Sequence, residues 1–276
     1  MRSLDTGTLP TEQINPRTTD LDSLDTAAIL QRLNDEDQLV APAVRAALPD
    51  LARAVDLALE RWRRGGRVLL FGAGTSGRLA MLDAAELGPT FGVPADRYLA
   101  RMAGGPTAFL KAVEGAEDDA AAGAAAADDL AAADVAFGIT ASGRTPWVMA
   151  ALGRAAERGS LRIGLACVPR PALASVSDVL VIVGTGAEAI AGSTRMKAGT
   201  AQKLVLNAFS TALMVRLGKV HGNLMVDVQA TNAKLRQRAV RLVCEVAGVE
   251  PQVAEEALTA SGWDVKAAIA RVLNSD

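Results

Sequence analysis

The sequence is poor in the residues that build disulfide frameworks and metal sites. Its 276 residues include two cysteines and a single histidine. Cys167 and Cys244 lie far apart without metal-ligand spacing, so we predict neither a disulfide scaffold nor a zinc site, and we expect a reducing, cytoplasmic environment. A serine triad would have to use His221, which we interpret as a packed or interface residue. Acid and base chemistry is therefore expected to depend on carboxylates, lysine or the single tyrosine.

Strong net charge and long apolar runs are also missing. Lys and Arg number 29 against 31 Asp and Glu, which gives a formal net charge of -2 without a long basic segment. Nucleic acid and anionic membranes are therefore not expected as partners. No run approaches the roughly eighteen apolar residues of a membrane span, and the N-terminal segment lacks the apolar stretch of a signal peptide. We expect small molecules or other protein chains as partners.

Short apolar runs alternate with helical patterns through the middle of the chain. The runs predicted as strands are 67–72, 98–102, 135–139, 163–168 and 179–183. The segments predicted as helices are 51–62, 76–86, 118–133, 146–158 and 194–217. This alternation favours an α/β fold with three layers, in which helices cover both faces of a five-stranded parallel sheet.

The two ends of the chain differ from this pattern. Residues 1–50 are predicted to form an arm followed by helices, and an arm of this kind often reaches across a partner subunit. Residues 223–276 show only helical periodicity, with a break at 248–251, and are predicted to form a small helical appendage. The ligand-binding domain is therefore placed at 51–222.

Three hydroxyl-rich loops, at 72–77, 140–146 and 192–197, follow predicted strands or precede predicted helices. The first matches the G-x-G-x-x-G spacing of a dinucleotide fold, but the expected companion acid is missing, because Asp96 precedes the second strand instead of ending it. Helix N-termini bind anions, and the added hydroxyls suit the three oxygens of a phosphate monoester. The alternative is that these hydroxyls only cap helices.

Two cations extend the anion-binding pattern of these loops. Arg144 offers a guanidinium fork for phosphate or carboxylate, and Lys197 offers a second positive charge, although either could be an ordinary surface charge. No nucleotide or metal motif is present, so no cofactor is expected. The predicted substrate-binding residues are Thr75, Ser76, Gly77, Arg78, Ser142, Gly143, Arg144, Thr145, Ser193, Thr194 and Lys197.

Carboxylates accompany the loops in two places. Glu86 is placed at the end of the helix that begins in the first loop, where the helix dipole favours a protonated carboxyl. Glu114 and Glu117 follow the second predicted strand. A carboxylic acid that stays protonated near neutral pH can donate a proton to a leaving group. The alternative for each glutamate is a solvated surface position.

Four segments together resemble the N-acetylmuramic acid 6-phosphate etherase family, and the likeness extends over nearly the whole chain. They are GAGTSGR at 72–78, VEGAED at 113–118, ASGRTP at 141–146 and GSTRMKAGTAQK at 192–203. The resemblance implies a sugar isomerase (SIS) domain with a flavodoxin-like fold. It also implies cleavage of the lactyl ether at carbon 3 of the sugar phosphate, which gives N-acetylglucosamine 6-phosphate and D-lactate during recycling of cell-wall muramic acid.

By motif position, the resemblance places the catalytic glutamates of the family on Glu86, as acid, and Glu117, as base. The chain departs from the family beside the first of them, since Ala85, Leu87 and Gly88 replace a serine, a cysteine and a proline. In an open-chain sugar the proton on carbon 2 is acidic, so a base could remove it while an acid protonates the departing lactate oxygen, and water then adds to the double bond.

The distance along the first helix suggests a shared site. A straight helix places Glu86 about 15 Å from Ser76, farther than the length of one hexose. We therefore expect a homodimer in which Glu86 serves a phosphate held by another subunit, or by the second and third loops. Three other functions remain open: a non-catalytic sugar-phosphate sensor like the glucokinase regulatory protein, an aldose-ketose isomerase and a dinucleotide-dependent oxidoreductase. A sensor needs no acid-base pair, so the two glutamates favour the enzyme.

Overall fold

A parallel sheet of five strands forms the centre of the protein. The computed structural model describes residues 9–227 and 233–274. The strands are β1 (Val68–Gly72), β2 (Tyr98–Met102), β3 (Val135–Thr140), β4 (Leu161–Ala166) and β5 (Val179–Ile182). They pair in the order β2-β1-β3-β4-β5, and every pairing is parallel. The central strands β1 and β3 are buried along their whole length, as expected for a sheet covered on both faces.

Helices form the outer two layers. They are α1 (Thr26–Asp37), α2 (Val40–Ala46), α3 (Leu48–Arg63), α4 (Gly74–Phe91), α5 (Thr107–Leu110), α6 (Ala120–Ala125), α7 (Pro146–Glu157) and α8 (Lys197–Arg216). Apolar residues of α2, α3, α4 and α8 pack on one face of the sheet, and those of α7 pack on the other. The predicted three-layer arrangement is confirmed.

The carboxyl ends of β1 and β3 lie side by side at one edge of the sheet, with Gly72 paired to Ile139. From β1 the chain crosses to β2 on one side, and it then returns to β3 on the other side. Strand order therefore reverses between β1 and β3. Open α/β sheets bind ligands at such a reversal, outside the carboxyl ends of the strands.

Helix α4 is longer than predicted. The expected end at Glu86 is wrong, because the helix continues to Phe91 with Pro89 inside its last turn. Gly92 ends it in a left-handed conformation (φ 63°), and its N–H bonds to the carbonyl of Gly88 at 2.9 Å. Glu86 therefore does not lie at the helix terminus, and the expectation that the dipole favours its protonated form loses its basis.

The alanine-rich segment forms a shorter helix than the predicted 118–133. Helix α6 ends at Ala125, and turns follow it. Arginine side chains from the strand region take the carbonyl groups that a longer helix would use: Arg101 bonds to the carbonyl of Ala126, and Arg67 bonds to that of Asp129 at 2.7 Å. Helix propensity favoured a longer helix, but these tertiary contacts end it.

The C-terminal part of the chain is helical, as predicted. A short antiparallel hairpin of β6 (Val220–His221) and β7 (Leu224–Met225) precedes α9 (Ala233–Ala247), α10 (Pro251–Ala260) and α11 (Val265–Leu273). These helices pack around a separate apolar cluster. His221 is exposed on the hairpin. The domain boundaries at 50 and 222 stay predictions, and residues 228–232 of the predicted helical segment lie outside the described residues. Within the described ranges, no helix has the length and apolar character needed to cross a bilayer.

Candidate active site

A cavity of about 390 Å³ opens at the reversal point between β1 and β3. Its volume lies in the usual range for small-molecule sites. All three hydroxyl-rich loops contribute to it, together with the N-terminal arm and the segment after β2. The lining residues are Leu9, Glu12, Ala73, Gly74, Thr75, Ser76, Glu117, Asp118, Thr140, Ala141, Ser142, Arg144, Thr145, Pro146, Gly192 and Thr194.

The first loop places two hydroxyls at the start of α4. Thr75 and Ser76 line the cavity, and the Ser76 hydroxyl donates to Oε1 of buried Gln202 at 2.9 Å. Gly77 is buried, and a Cβ there would lie 2.8 Å from the carbonyl oxygen of Gly72. This glycine therefore allows close packing of helix on strand and does not line the cavity.

Arg78 lies to one side of the cavity. Its guanidinium donates to the carbonyls of Ala108 (2.8 Å) and Phe109 (3.0 Å), and these hydrogen bonds stabilise the segment that follows β2. It lines a smaller neighbouring pocket of about 190 Å³, which Glu117 also lines. Arg78 therefore shares this smaller pocket with Glu117 and does not line the cavity itself.

The second loop presents a cluster of hydroxyls and one cation to the cavity. The Thr140 hydroxyl is 2.7 Å from that of Thr145, and Ser142 Oγ accepts from the backbone N–H of Arg144 at 3.3 Å. Gly143 has a φ of 67°, and a Cβ there would lie 2.2 Å from Pro171, so only glycine allows this turn. The loop thus aims Ser142, Arg144 and Thr145 at the cavity, while Gly143 shapes the turn.

The third loop contributes less than the sequence predicted. Gly192 and Thr194 line the cavity, but Ser193 and Lys197 do not. The N-terminus of α8 already holds a carboxylate of the protein itself, because buried Glu188 accepts from the backbone N–H groups of Lys197 and Ala198, both at 2.9 Å. The pKa of Glu188 is raised by burial, and these backbone donors oppose the shift. A substrate anion is therefore not needed to satisfy this helix terminus.

Lys197 has a structural partner instead of the predicted ligand contact. Its side chain is 1% exposed, and its Nζ lies 2.6 Å from Oε2 of Glu36 on α1. Glu36 also accepts from Arg17 and from Asn15, the latter at 2.8 Å. The Arg17 hydrogen bonds, helped by Lys197 and Asn15, lower the pKa of Glu36 to about 2. Sequence reasoning missed this group because its members are far apart in the chain.

Glu117 is the predicted catalytic residue that the cavity contains. It lies in a 3-10 turn, Ala116–Asp118, which Gly115 introduces with a φ of 72°. The side chain is exposed and lines both the cavity and the smaller pocket, whereas Glu114 lines the smaller pocket and not the cavity. Glu117 can therefore reach a ligand held by the three loops.

Glu86 lies in a different pocket, of about 250 Å³, between α4 and α8. Its neighbours there include Lys203, Asn207 and buried Asp83. Asp83 accepts from the hydroxyls of Tyr98 (2.8 Å) and Ser210 (3.0 Å), and burial raises its pKa. A single chain therefore does not bring Glu86 and Glu117 to one cavity. The spacing of Asp83 and Glu86, three residues apart on one helix face, is the sequence signal that could have found this second cluster.

Cys167 follows β4 directly and packs against α8, where its thiol lies 3.7 Å from the carbonyl of Ala198. It is fully buried, and burial raises its pKa to about 12. Thiol nucleophilicity requires the thiolate, so Cys167 is not suited to covalent chemistry. Among the residues described, no cluster of His, Cys, Asp and Glu has the arrangement of a metal site.

Alkylation with iodoacetamide is expected to label Cys244 and to spare Cys167 in the folded protein. Cys244 is partly exposed on α9, whereas Cys167 is buried with a raised pKa. Mass spectrometry should find one adduct per native chain and a second adduct only in denaturant. A Cys244→Ser control should remain unlabelled under native conditions, and rapid labelling of Cys167 in that control would contradict the expectation.

Comparison with known proteins agrees with the observed fold. A family model of the glucokinase regulatory protein N-terminal SIS domain matches residues 50–156, and one of the C-terminal lid domain of glucokinase regulatory protein matches residues 222–276. A phosphoheptose isomerase from Francisella tularensis has a similar structure (TM-score 0.53, 20% identity, 67% of this chain and 98% of that chain). So does a phosphoheptose isomerase from Neisseria gonorrhoeae (TM-score 0.50, 21% identity, 68% and 95%). The predicted SIS fold is confirmed.

Full-length relatives are much more similar. The N-acetylmuramic acid 6-phosphate etherase of Thermobifida fusca (strain YX) is 54% identical over 264 residues, 96% of this chain and 87% of the relative. That of Yersinia pestis (strain Pestoides F) is 52% identical over 269 residues, 97% of this chain and 91% of the relative. Since this identity covers both the SIS domain and the C-terminal helices, the chain belongs to the N-acetylmuramic acid 6-phosphate etherase family.

Proposed function

We propose that the protein cleaves the D-lactyl ether of N-acetylmuramic acid 6-phosphate and releases N-acetylglucosamine 6-phosphate and D-lactate. The observation that carries this function is a single cavity that combines donors for a phosphate with the carboxylate of Glu117. The relatives of similar length bear the etherase name, which favours an enzyme over a sugar-phosphate sensor. The reaction is a carbon-oxygen lyase reaction in amino sugar catabolism.

The ligand is a small sugar phosphate, and we assign its phosphate to the hydroxyl-rich end of the cavity. Thr75, Ser142 and Thr145 offer hydroxyl groups, and Arg144 offers a cation. The Ser76 hydroxyl already donates to Gln202, so Ser76 contributes its backbone N–H in the first turn of α4. The N-termini of α4 and α7 begin in the same two loops, so their unpaired N–H groups and dipoles favour a dianion there. These contacts support binding of a phosphate monoester.

Glu117 is assigned the role of base. When the sugar ring opens to its aldehyde, the proton on carbon 2 lies next to a carbonyl and becomes acidic. When Glu117 removes this proton, the carbon-oxygen bond at carbon 3 can break. A different residue acts as the acid and protonates the departing lactate oxygen. Water then adds across the new double bond, with its oxygen at carbon 3 and a proton at carbon 2. A positioned acid or base contributes about 10²- to 10⁴-fold in rate to each such transfer.

We assign the acid to Glu86 of a second copy of the chain, so that the active unit is a homodimer. Glu86 lies outside the cavity of its own chain. Leu82, which lines the same pocket as Glu86, is 43% exposed, and Leu204 on α8 is 38% exposed. Exposed apolar side chains on these two helices support an interface there. Cys167 and Cys244 are both free thiols, which supports a reducing, cytoplasmic setting.

The proposed reaction can be tested with N-acetylmuramic acid 6-phosphate in water enriched in oxygen-18 and deuterium. Elimination followed by hydration is expected to release unlabelled lactate and to leave oxygen-18 at carbon 3 and deuterium at carbon 2 of the sugar. Oxygen-18 in the lactate, or the absence of deuterium at carbon 2, would reject this route. Binding of the substrate without release of lactate would favour a sensor.

A further inference from the structure

We propose that Glu12, on the N-terminal arm, is a substrate-binding residue that accepts a hydrogen bond from a neutral donor of the sugar, a hydroxyl or the amide N–H. This inference rests on the proposed function, because it concerns the same cavity. Glu12 lines that cavity together with the three loops, although it precedes the first of them by about sixty residues.

The backbone that carries Glu12 is held in place. It belongs to a 3-10 turn, Pro10–Glu12, in which the N–H of Glu12 bonds to the carbonyl of Leu9 at 3.0 Å. The preceding residue, Thr11, is fully buried, and its carbonyl accepts from the N–H of Gly192 at 3.0 Å. The turn is thus joined directly to the third loop, and the position of Glu12 is coupled to the cavity wall.

The rest of the arm binds the segment that directly precedes the third loop. The Asn15 amide donates to the carbonyl of Ala187 at 3.3 Å, and the Thr18 hydroxyl donates to that of Ala189 at 2.8 Å. The Asn15 amide also donates to buried Glu36, which in turn accepts from Lys197 at the start of α8. Thr11, Asn15 and Thr18 therefore bind their own chain, and the expectation that the arm reaches a partner subunit stays a prediction.

A glycine makes room for the Glu12 carboxylate. Gly192 has a φ of 76°, and a Cβ at this position would lie 2.8 Å from Oε2 of Glu12. The carboxylate thus occupies the space over the third loop that any larger residue would fill. The Glu12 carboxylate therefore lies against the backbone of the third loop, at the cavity rim.

The charge of Glu12 decides which part of the substrate it can contact. A carboxylate only accepts hydrogen bonds, and it repels phosphate and the lactyl carboxylate. Within residues 9–227 and 233–274, no hydrogen bond or ion pair to the Glu12 carboxylate is formed, so its oxygens are available to a ligand. The other polar groups of the cavity rim are mostly donors suited to the phosphate. Glu12 is therefore matched to the uncharged hydroxyl or amide groups of the sugar.

The test compares Glu12→Ala and Glu12→Gln with the wild type and with a neighbouring control, Gln13→Ala. Calorimetry measures the affinity for N-acetylglucosamine 6-phosphate and, separately, for inorganic phosphate. Loss of a hydrogen bond to a charged acceptor is expected to weaken sugar-phosphate binding at least about tenfold in Glu12→Ala. Phosphate binding should stay unchanged or tighten, because a nearby negative charge is removed. Glu12→Gln keeps one acceptor oxygen, so its affinity for the sugar phosphate should lie between those of Glu12→Ala and the wild type. Gln13→Ala should bind both ligands as the wild type does.

Three results would overturn the assignment. A parallel loss of affinity for both ligands would mean that Glu12 only supports the loop. Unchanged sugar-phosphate affinity in Glu12→Ala would mean that it does not touch the sugar. A fall of kcat by about 100-fold or more in Glu12→Gln at unchanged KM would make it an acid-base residue instead. Failure of the wild type to release lactate would reject the proposed reaction, whereas the two binding measurements would still report on Glu12.

Discussion

Replacement of Glu117 by glutamine is expected to lower kcat for lactate release by about 10²- to 10⁴-fold, because the amide cannot take the proton from carbon 2. The side chain has nearly the same shape, so KM should change little. Glu114→Gln is the matched control, since Glu114 lies three residues earlier and lines the smaller pocket but not the cavity. Retention of more than about a tenth of the activity by Glu117→Gln would contradict its role as the base.

A mixture of two inactive variants tests whether Glu86 acts across the proposed homodimer. Chains carrying Glu86→Gln and chains carrying Glu117→Gln are unfolded together, refolded and assayed. In a twofold dimer with shared sites, half of the dimers are mixed, and each contains one site with both native glutamates, so about a quarter of the wild-type activity should return. Each variant refolded alone should stay inactive. No recovery in the mixture would place both glutamates of a working site in one chain and reject the sharing.

The second large effect is expected from Glu36, whose substitution should destabilise the fold. Glu36→Gln leaves the Lys197 ammonium buried without its carboxylate, and breaking a buried ion pair in this way costs about 3–5 kcal/mol. Urea unfolding of the purified variant measures the loss. Asp56→Asn is the control, since it breaks an ion pair with Arg216 whose side chains are 57% and 56% exposed, and it should cost about 1 kcal/mol or less.

A double variant separates the pair from the packing around it. Glu36→Leu combined with Lys197→Met removes both buried charges, and it should regain most of the stability that Glu36→Gln loses. Arg17, whose side chain is 56% exposed, can then turn toward water. If the double variant were as unstable as the sum of its two single variants, the loss would come from packing and not from an unpaired charge.

The lowered pKa of Glu36 makes the free energy of unfolding depend on pH in the acidic range. Hydrogen bonds from Arg17, with Lys197 and Asn15, lower the pKa of Glu36 from 4.5 to about 2. Because the folded-state pKa is depressed, the stabilisation is fully present above pH 4.5 and is lost as the pH falls through about 2. The difference in unfolding free energy between the wild type and Glu36→Gln should therefore be constant near neutrality and shrink below pH 4.5.

Local sequence patterns were sufficient for the sheet and for much of the cavity. The central strands β1 and β3 are short runs that are buried along their whole length between two helical layers, and such strands are recognisable from their apolar residues. The loops that follow β1 and β3 could be assigned to one site, because parallel strands place their carboxyl ends at the same edge. Thr75, Ser142 and Arg144 accordingly line one cavity.

Burial of a charge could not be predicted in the same way. Lys197 stands beside a hydroxyl-rich loop in the sequence and was expected to bind an anion, yet its partner is Glu36, 161 residues earlier. Glu188, which accepts from the first N–H groups of α8, was also missed, although it lies only nine residues before Lys197. The pair of Lys197 and Glu36 forms because packing brings two distant segments together, and no local pattern encodes the partner of such a charge.

The amino-acid sequence by itself determined the layered fold, the hydroxyl-rich end of the cavity and the family to which the chain belongs, since these depend on local periodicity and on contiguous motifs. The tertiary structure alone decided which carboxylates share the cavity. It placed Glu117 and the arm residue Glu12 at one opening and Glu86 in a separate pocket. The physical reason is that helix α4 carries Glu86 away from the strand ends, while long-range hydrogen bonds bring the arm to them.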